Sequence, residues 1–94
     1  MSAYIIANVE VTDPDQYRQY QKFSSEAISK YGARVLVRGG EVTPLEGEHP
    51  GRTVVMEFDD AEAARRFYDS PEYRQGRAIR ANAARMTMYI VQGA

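Results

Sequence analysis

The chain predicts an α+β domain built on one antiparallel sheet, and three observations carry that prediction. Two apolar runs, Val35-Leu36-Val37 and Val54-Val55-Met56, flank a Gly/Pro-rich connection and read as neighbouring antiparallel strands. Two stretches, Asp13-Pro14 and Ser70-Pro71, join a capping side chain to a proline in the first helical turn. Both ends of the chain alternate apolar and polar residues, over 3–11 and 86–91, as half-buried strands do. Each central run is apolar at consecutive positions, so both faces of the sheet need cover, and 94 residues supply helices for one face only.

In chain order, the first strand places Ala3, Ile5, Ala7, Val9 and Val11 on one face and Tyr4, Ile6, Asn8 and Glu10 on the other. A long helix follows, with Asp13 as N-cap, Pro14 in the first position and Gln16 spaced for a capping box. Its buried stripe is Tyr17, Tyr20, Ala27, Ile28 and Tyr31, with Phe23 on the flank, and Gly32 ends it in the left-handed conformation. Strands over 33–38 and 52–58 come next. The connection between them carries Pro44, Gly47, Pro50 and Gly51 and is the longest irregular segment; it is read either as a functional loop or as a plain solvated one. Asp59-Asp60 caps a second helix that packs through Ala63, Ala64, Phe67 and Tyr68. The chain breaks at Asp69 or Ser70 and restarts as a short helix to about residue 83, with Gly76 inside it, before the last strand. With right-handed crossovers, this order of elements favours a ferredoxin-like βαββαβ arrangement, a four-stranded antiparallel sheet with the helices on one face.

Composition narrows the functions. A chain 44% hydrophobic and 27% charged reads as one globular domain over 1–94. Twelve basic against 13 acidic side chains leave a formal charge of −1, without the basic excess that nucleic-acid binding draws on, so no nucleic-acid partner is expected. No run approaches the ~20 apolar residues of a membrane span, and the N-terminus lacks a signal-peptide pattern, so no membrane partner and a cytoplasmic location are expected. The absence of cysteine excludes disulfides and thiolate chemistry.

No metal site and no cofactor is expected. His49 is the sole histidine and stands in the irregular loop, and no second His or Cys converges on it. The serines lack a nucleophile context, and Gly39-Gly40 reads as a strand terminator. Arg34, Arg38 and Glu57 stand out as charges in apolar strands, where a charge must be paired or face a wet cavity. A register pairing Arg34 with Glu57 puts Leu36 opposite Val55 and Arg38 opposite Thr53, all on the face away from the helices, and leaves Arg38 unpaired. Arg38 is therefore the leading anion-binding candidate, with Tyr73 and Arg80 two helical turns apart as companions. Arg74 and Arg77 read as a solvated basic face.

Arg34-Val35-Leu36-Val37-Arg38-Gly39-Gly40, Glu57-Phe58 and Ser70-Pro71-Glu72-Tyr73 together resemble the small bacterial proteins of domain of unknown function family 1330. The resemblance covers nearly the whole chain and implies the dimeric α+β barrel fold, which cofactor-free monooxygenases and lactone isomerases also use. Tyr68 stands where relatives often carry tryptophan. The expected protein is a homodimer joined through the sheet face, binding a small, partly apolar or anionic molecule in a cavity lined by Arg38, Tyr73, Tyr68 and Arg80. One alternative is a cofactor-independent monooxygenase or isomerase in which Tyr73, Glu57 or Arg38 moves a proton or stabilises an enolate. The other is a structural or partner-binding dimer without a ligand.

Overall fold

The computed structural model describes residues 1–49 and 51–94; Pro50, part of the expected loop, lies outside the described residues. A central strand β1 (Ala3–Val11) pairs antiparallel with β3 (Arg52–Phe58) on one side and β4 (Ala84–Gln92) on the other. With β2 (Arg34–Arg38) beside β3, the order across the sheet is β2-β3-β1-β4. The helices are α1 (Pro14–Tyr31), α2 (Ala61–Asp69) and α3 (Pro71–Arg80), the last two filling the second helical slot of a βαββαβ chain.

Alternation along β1 decides which face the helices cover. Ala3, Ile5, Ala7 and Val9 are each buried, whereas the residues between them are half-buried. The helices bring Tyr17, Tyr20, Ala27, Ala64, Phe67 and Tyr73 onto that same face, and with Met56 and Phe58 these make one core. Phe67 is its hub, with ring centroids 5.4 Å from Phe58 and 4.8 Å from Tyr73. Gly76, which costs α3 helix propensity, stands where α3 meets α1: a Cβ there would lie 3.2 Å from Phe23 Cβ and 3.3 Å from the Tyr20 ring.

The expected N-caps are present, but the capping box at Gln16 does not close, because the Asp13 amide donates to the Ala83 carbonyl instead. Asp13 accepts from the Gln16 amide at 3.1 Å, and Gly32 closes α1 at φ 71°. Asp60 accepts from the Ala63 amide at 2.7 Å to start α2. Ser70 serves two helices at once: its hydroxyl donates to the Phe67 carbonyl at 2.8 Å, ending α2, and accepts from the Tyr73 amide at 3.1 Å, starting α3. Helix α3 stops at Arg80, earlier than the expected 83, because residues 81–83 turn so that the Ala83 carbonyl accepts from the amides of Thr12 and Asp13. That turn lets β4 begin at Ala84, paired with Val11.

The edge strand departs from expectation. Arg34 faces Glu57 and Val35 faces Met56, as the expected register has it, but the register then shifts by one residue, so that Val37 faces Val55 and Arg38 faces Val54. Neither the expected pairing of Leu36 with Val55 nor that of Arg38 with Thr53 forms. Leu36 is the extra residue of a β-bulge, and a one-residue shift exchanges the faces of everything beyond it. Val54 also faces Ala7, on the helix-covered side, so the bulge carries Arg38 from the outer face to the helix face and puts Val37 outside in its place.

Ser70→Ala removes the cap of α3 and one bond at the end of α2 from a site only 4% exposed. A loss of ~1–3 kcal/mol in urea unfolding is expected. A change below about 0.5 kcal/mol would mean that the junction holds without the hydroxyl.

Candidate functional site

A cavity of about 300 Å³ lies between α1 and the helix-facing side of the sheet. It opens where α1, which packs mainly along α3, stands away from the strands. The sheet floor is Ala7, Val54 and Met56, with Met86 and Met88 from β4. Tyr17, Tyr20 and Ser24 descend from α1, and Phe67 and Tyr73 close the inner end. Three methionines give this floor an adaptable shape.

Two arginines stand in the lining beside the polar Gln21, Ser24 and Ser25 of α1. Arg38 reaches the cavity because of the bulge, and Arg52 does so because even-numbered residues of β3 face the helices. Gly39, at φ 64°, makes room for the second of them: a Cβ there would fall 2.5 Å from Arg52 Nε and 2.7 Å from its Cζ. Among the described residues, neither arginine takes part in an ion pair, no carboxylate lines the cavity, and the solvent-shielded Arg52 Nε has no hydrogen-bond partner.

At the inner end the Tyr20 and Tyr73 hydroxyls lie 2.8 Å apart, and the Tyr73 hydroxyl also faces Met88 Sδ at 3.7 Å. Burial raises the pKa of Tyr73, and burial followed by repulsion from Tyr73 raises that of Tyr20 still further. Both phenols therefore keep their protons at neutral pH and act as hydrogen-bond donors.

The structure brings together Arg38 and Tyr73, and sets the other candidates around or away from them. Arg80 lies behind the cavity, its Cζ 5.5 Å from the centroid of the Tyr20 ring. Tyr68 packs against Tyr73 from the far side, with ring centroids 5.7 Å apart, and carries the Arg77 guanidinium at 4.1 Å on its face. Arg77 is thus stacked on a ring, whereas Arg74 is exposed. Glu57 stands on the outer face of the sheet, paired with Arg34 at 3.1 Å and within 3.4 Å of the Tyr4 hydroxyl. Arg34 in turn reaches Asp59 at 3.2 Å. His49 is exposed and hydrogen-bonds Thr53 at 2.9 Å, beside an open depression on the outer face where Arg85 pairs with Glu10. Among the described residues no group of three or more His, Asp or Glu side chains is placed to hold a metal ion, and no helix is long and apolar enough to cross a membrane.

Sequence reasoning missed Arg52 and Tyr20 as cavity residues. The signal for Arg52 was available in its parity, since it shares a face with Val54, Met56 and Phe58. Tyr20 was legible as a buried residue, but nothing local distinguishes a core tyrosine from one whose hydroxyl faces a cavity.

Fold and site together define a βαββαβ protein with a cavity between its long helix and its sheet, lined in part by two arginines and three tyrosines. The model of the domain of unknown function family DUF1330 matches residues 2–94, and the chain belongs to that family. No curated protein matches it. Among solved structures it is similar to a protein of unknown function from Rhodopseudomonas palustris, at TM-score 0.78 and 17% identity over 99% of this chain and 82% of that one. A dimeric ferredoxin-like protein of unknown function from Thermobifida fusca superposes at TM-score 0.61 and 22% identity, over 99% and 92%. SnoaB, a cofactor-independent oxygenase from Streptomyces nogalater, does so at TM-score 0.63 and 11% identity, over 99% and 93%. These likenesses establish the ferredoxin-like fold.

The outer-face pair gives a pH signature. Hydrogen bonding to Arg34 holds the Glu57 carboxyl below its usual 4.5, so the stability it contributes is present above about that pH and is lost as the pH falls. Glu57→Gln should be less stable than the parent at pH 7, with the gap closing below about pH 4.5, and should leave cavity binding unchanged. A gap independent of pH in unfolding titrations would contradict this role.

Proposed function

We propose that this protein is a homodimer, joined through the outer sheet face, that binds a small, partly apolar anion in the helix-side cavity. The observation that carries the binding reading is a pair of arginines, Arg38 and Arg52, in a cavity of mixed polar and apolar lining without a carboxylate among the described residues. A guanidinium in such a place is matched best by a carboxylate, which accepts two parallel N–H donors. The sheet floor, with its three methionines, suits a hydrocarbon or aromatic body.

Dimerisation rests on the other face. Val37, Tyr89 and Val91 are 42%, 47% and 43% exposed there, beside half-buried Tyr4, Ile6 and Val55. All three helices pack on the opposite side. Four strands at ~4.8 Å spacing and ~17–20 Å length present roughly 350 Å² before side-chain relief, already comparable to the largest apolar patch of a typical monomer. A second copy offering the same face covers it by two-fold self-complementarity, and the Thermobifida fusca neighbour is itself dimeric.

The alternative, an oxygenase or isomerase working without a cofactor, draws on the likeness to SnoaB and on the neutral Tyr73 donor, which suits a developing enolate. It lacks a base, because Glu57 faces the other side of the sheet and no carboxylate or histidine lines the cavity among the described residues.

Two measurements test the proposal. In sedimentation at micromolar concentration the parent should have twice the chain mass and Tyr89→Asp should shift to the monomer; a monomeric parent would refute the sheet-face dimer. In calorimetric titration with aromatic carboxylates, Arg38→Ala should weaken binding about tenfold or more, and Arg74→Ala by less than about twofold. Equal losses would remove Arg38 from the site.

A further inference from the structure

The bulge in β2 and the turn at Gly39 do more than admit two arginines to the cavity; they set them side by side. Beyond the bulge Arg38 faces Val54, and Arg52 stands two residues before Val54 on the same face of β3, so the two arginines are diagonal neighbours across the ladder. The Arg52 guanidinium also runs along the backbone of Gly39, the residue after Arg38: a Cβ there would lie 2.5 Å from Arg52 Nε and 2.6 Å from one terminal nitrogen. Arg38 is exposed and Arg52 half-buried, and Arg52 Nε is shielded from solvent without a partner among the described residues. Like charges placed as cross-strand neighbours repel each other unless an anion offsets them.

Nothing in the lining does so. From α1 the cavity receives Tyr17, Gln21, Ser24 and Ser25, all uncharged at neutral pH, burial having raised the pKa of Tyr17. Glu41, the acidic residue nearest to Arg38 in sequence, is exposed and makes no ion pair among the described residues. On the outer face Glu57 and Asp59 are engaged by Arg34, and Glu10 by Arg85. Arg80, a third cation nearby, lies behind the Tyr20 ring and outside the lining. The demand for negative charge is therefore concentrated where β2 and β3 meet, and a monocarboxylate answers one guanidinium and leaves the other unmatched.

Resting on the anion-binding reading above, we propose that the ligand is a dianion with both charges at one end: an apolar body carrying two carboxylates on adjacent carbons, one for Arg38 and one for Arg52. Two carboxylates give each guanidinium its own pair of oxygens, whereas a phosphate monoester divides three oxygens between two forks. The two arginines then act together as a specificity device that counts charge.

Aryl acids of graded charge test this by calorimetric titration into the intact protein at about pH 8, where a phosphate monoester is also a dianion. The series is benzoate, phthalate with its carboxylates on adjacent carbons, terephthalate with them at opposite ends of the ring, and phenyl phosphate. The parent should bind phthalate about tenfold or more tighter than benzoate, and terephthalate within about threefold of benzoate, because its second charge points away from both arginines. Arg38→Ala and Arg52→Ala should each bring the phthalate-to-benzoate ratio toward one, and Arg38→Lys, which keeps the charge, should retain most of it. The parent series and Arg38→Ala decide the matter even where Arg52→Ala folds poorly. Equal affinity for benzoate and phthalate, with both weakened by Arg38→Ala, would overturn the dianion inference and leave the anion site standing. Tighter binding of terephthalate or phenyl phosphate than of phthalate would overturn it too, as would a phthalate preference that survives in Arg38→Ala. Failure of every acid to bind would remove the anion site and this inference together.

Discussion

The alternation of side chains along β1 is the constraint on which the other parts depend. β1 is paired on both sides without interruption, from Ala3 to Val9 against β3 and from Ala3 to Val11 against β4, so its parity is transmitted across three strands. Alanine at positions 3 and 7 keeps the helix-facing side low, and larger residues, Ile5 and Val9, alternate with them. The helices bring aromatic rings to that surface, and the Phe58, Phe67 and Tyr73 contacts gather them into one cluster. Changing the parity of β1 would exchange the core with Tyr4, Ile6 and Asn8.

β2 escapes that constraint because it is an edge strand, held on one side only. A bulge inside the sheet would disturb two ladders; here it disturbs one, and the strand can change faces partway along. The two ends of β2 consequently address different surroundings. Arg34 belongs to the outer face and is neutralised by Glu57 and Asp59, whereas Arg38 belongs to the cavity and has no carboxylate partner among the described residues. Gly39 then turns the chain so closely over Arg52 that the second guanidinium is set by backbone shape instead of by an ion pair.

Much of the fold was legible in the sequence, and the parts that were not have identifiable physical reasons. Caps and prolines are local signals, so Asp13, Asp60 and Ser70 stand where their side chains indicate. β1 was legible because alternation carries phase. In Val35-Leu36-Val37 every residue is apolar, so the run carries no phase and a bulge within it leaves no mark; for that reason Arg38 was assigned to the wrong face. Tyr68 and Arg80 lie next to cavity residues without lining the cavity, because the roll of α3 and α2 against α1 is set by tertiary contacts such as Gly76 on Phe23, which helical spacing alone does not contain.

Edges of sheets are templates for further strands, and the two edges of this one differ. On β2 the extra residue at Leu36 interrupts the row of free amide and carbonyl groups, and arginines stand at both ends, so an incoming strand meets broken geometry and charge. β4 has neither protection over most of its length: it runs for nine residues in continuous register with β1, and its outward amides and carbonyls form an unbroken row. Its charge near the edge is Arg85, close to one end and already paired with Glu10. The bulge that delivers Arg38 to the cavity therefore also makes the molecule one-sided toward strand addition, leaving β4 as the edge along which chains would stack if the protein were partly unfolded or crowded.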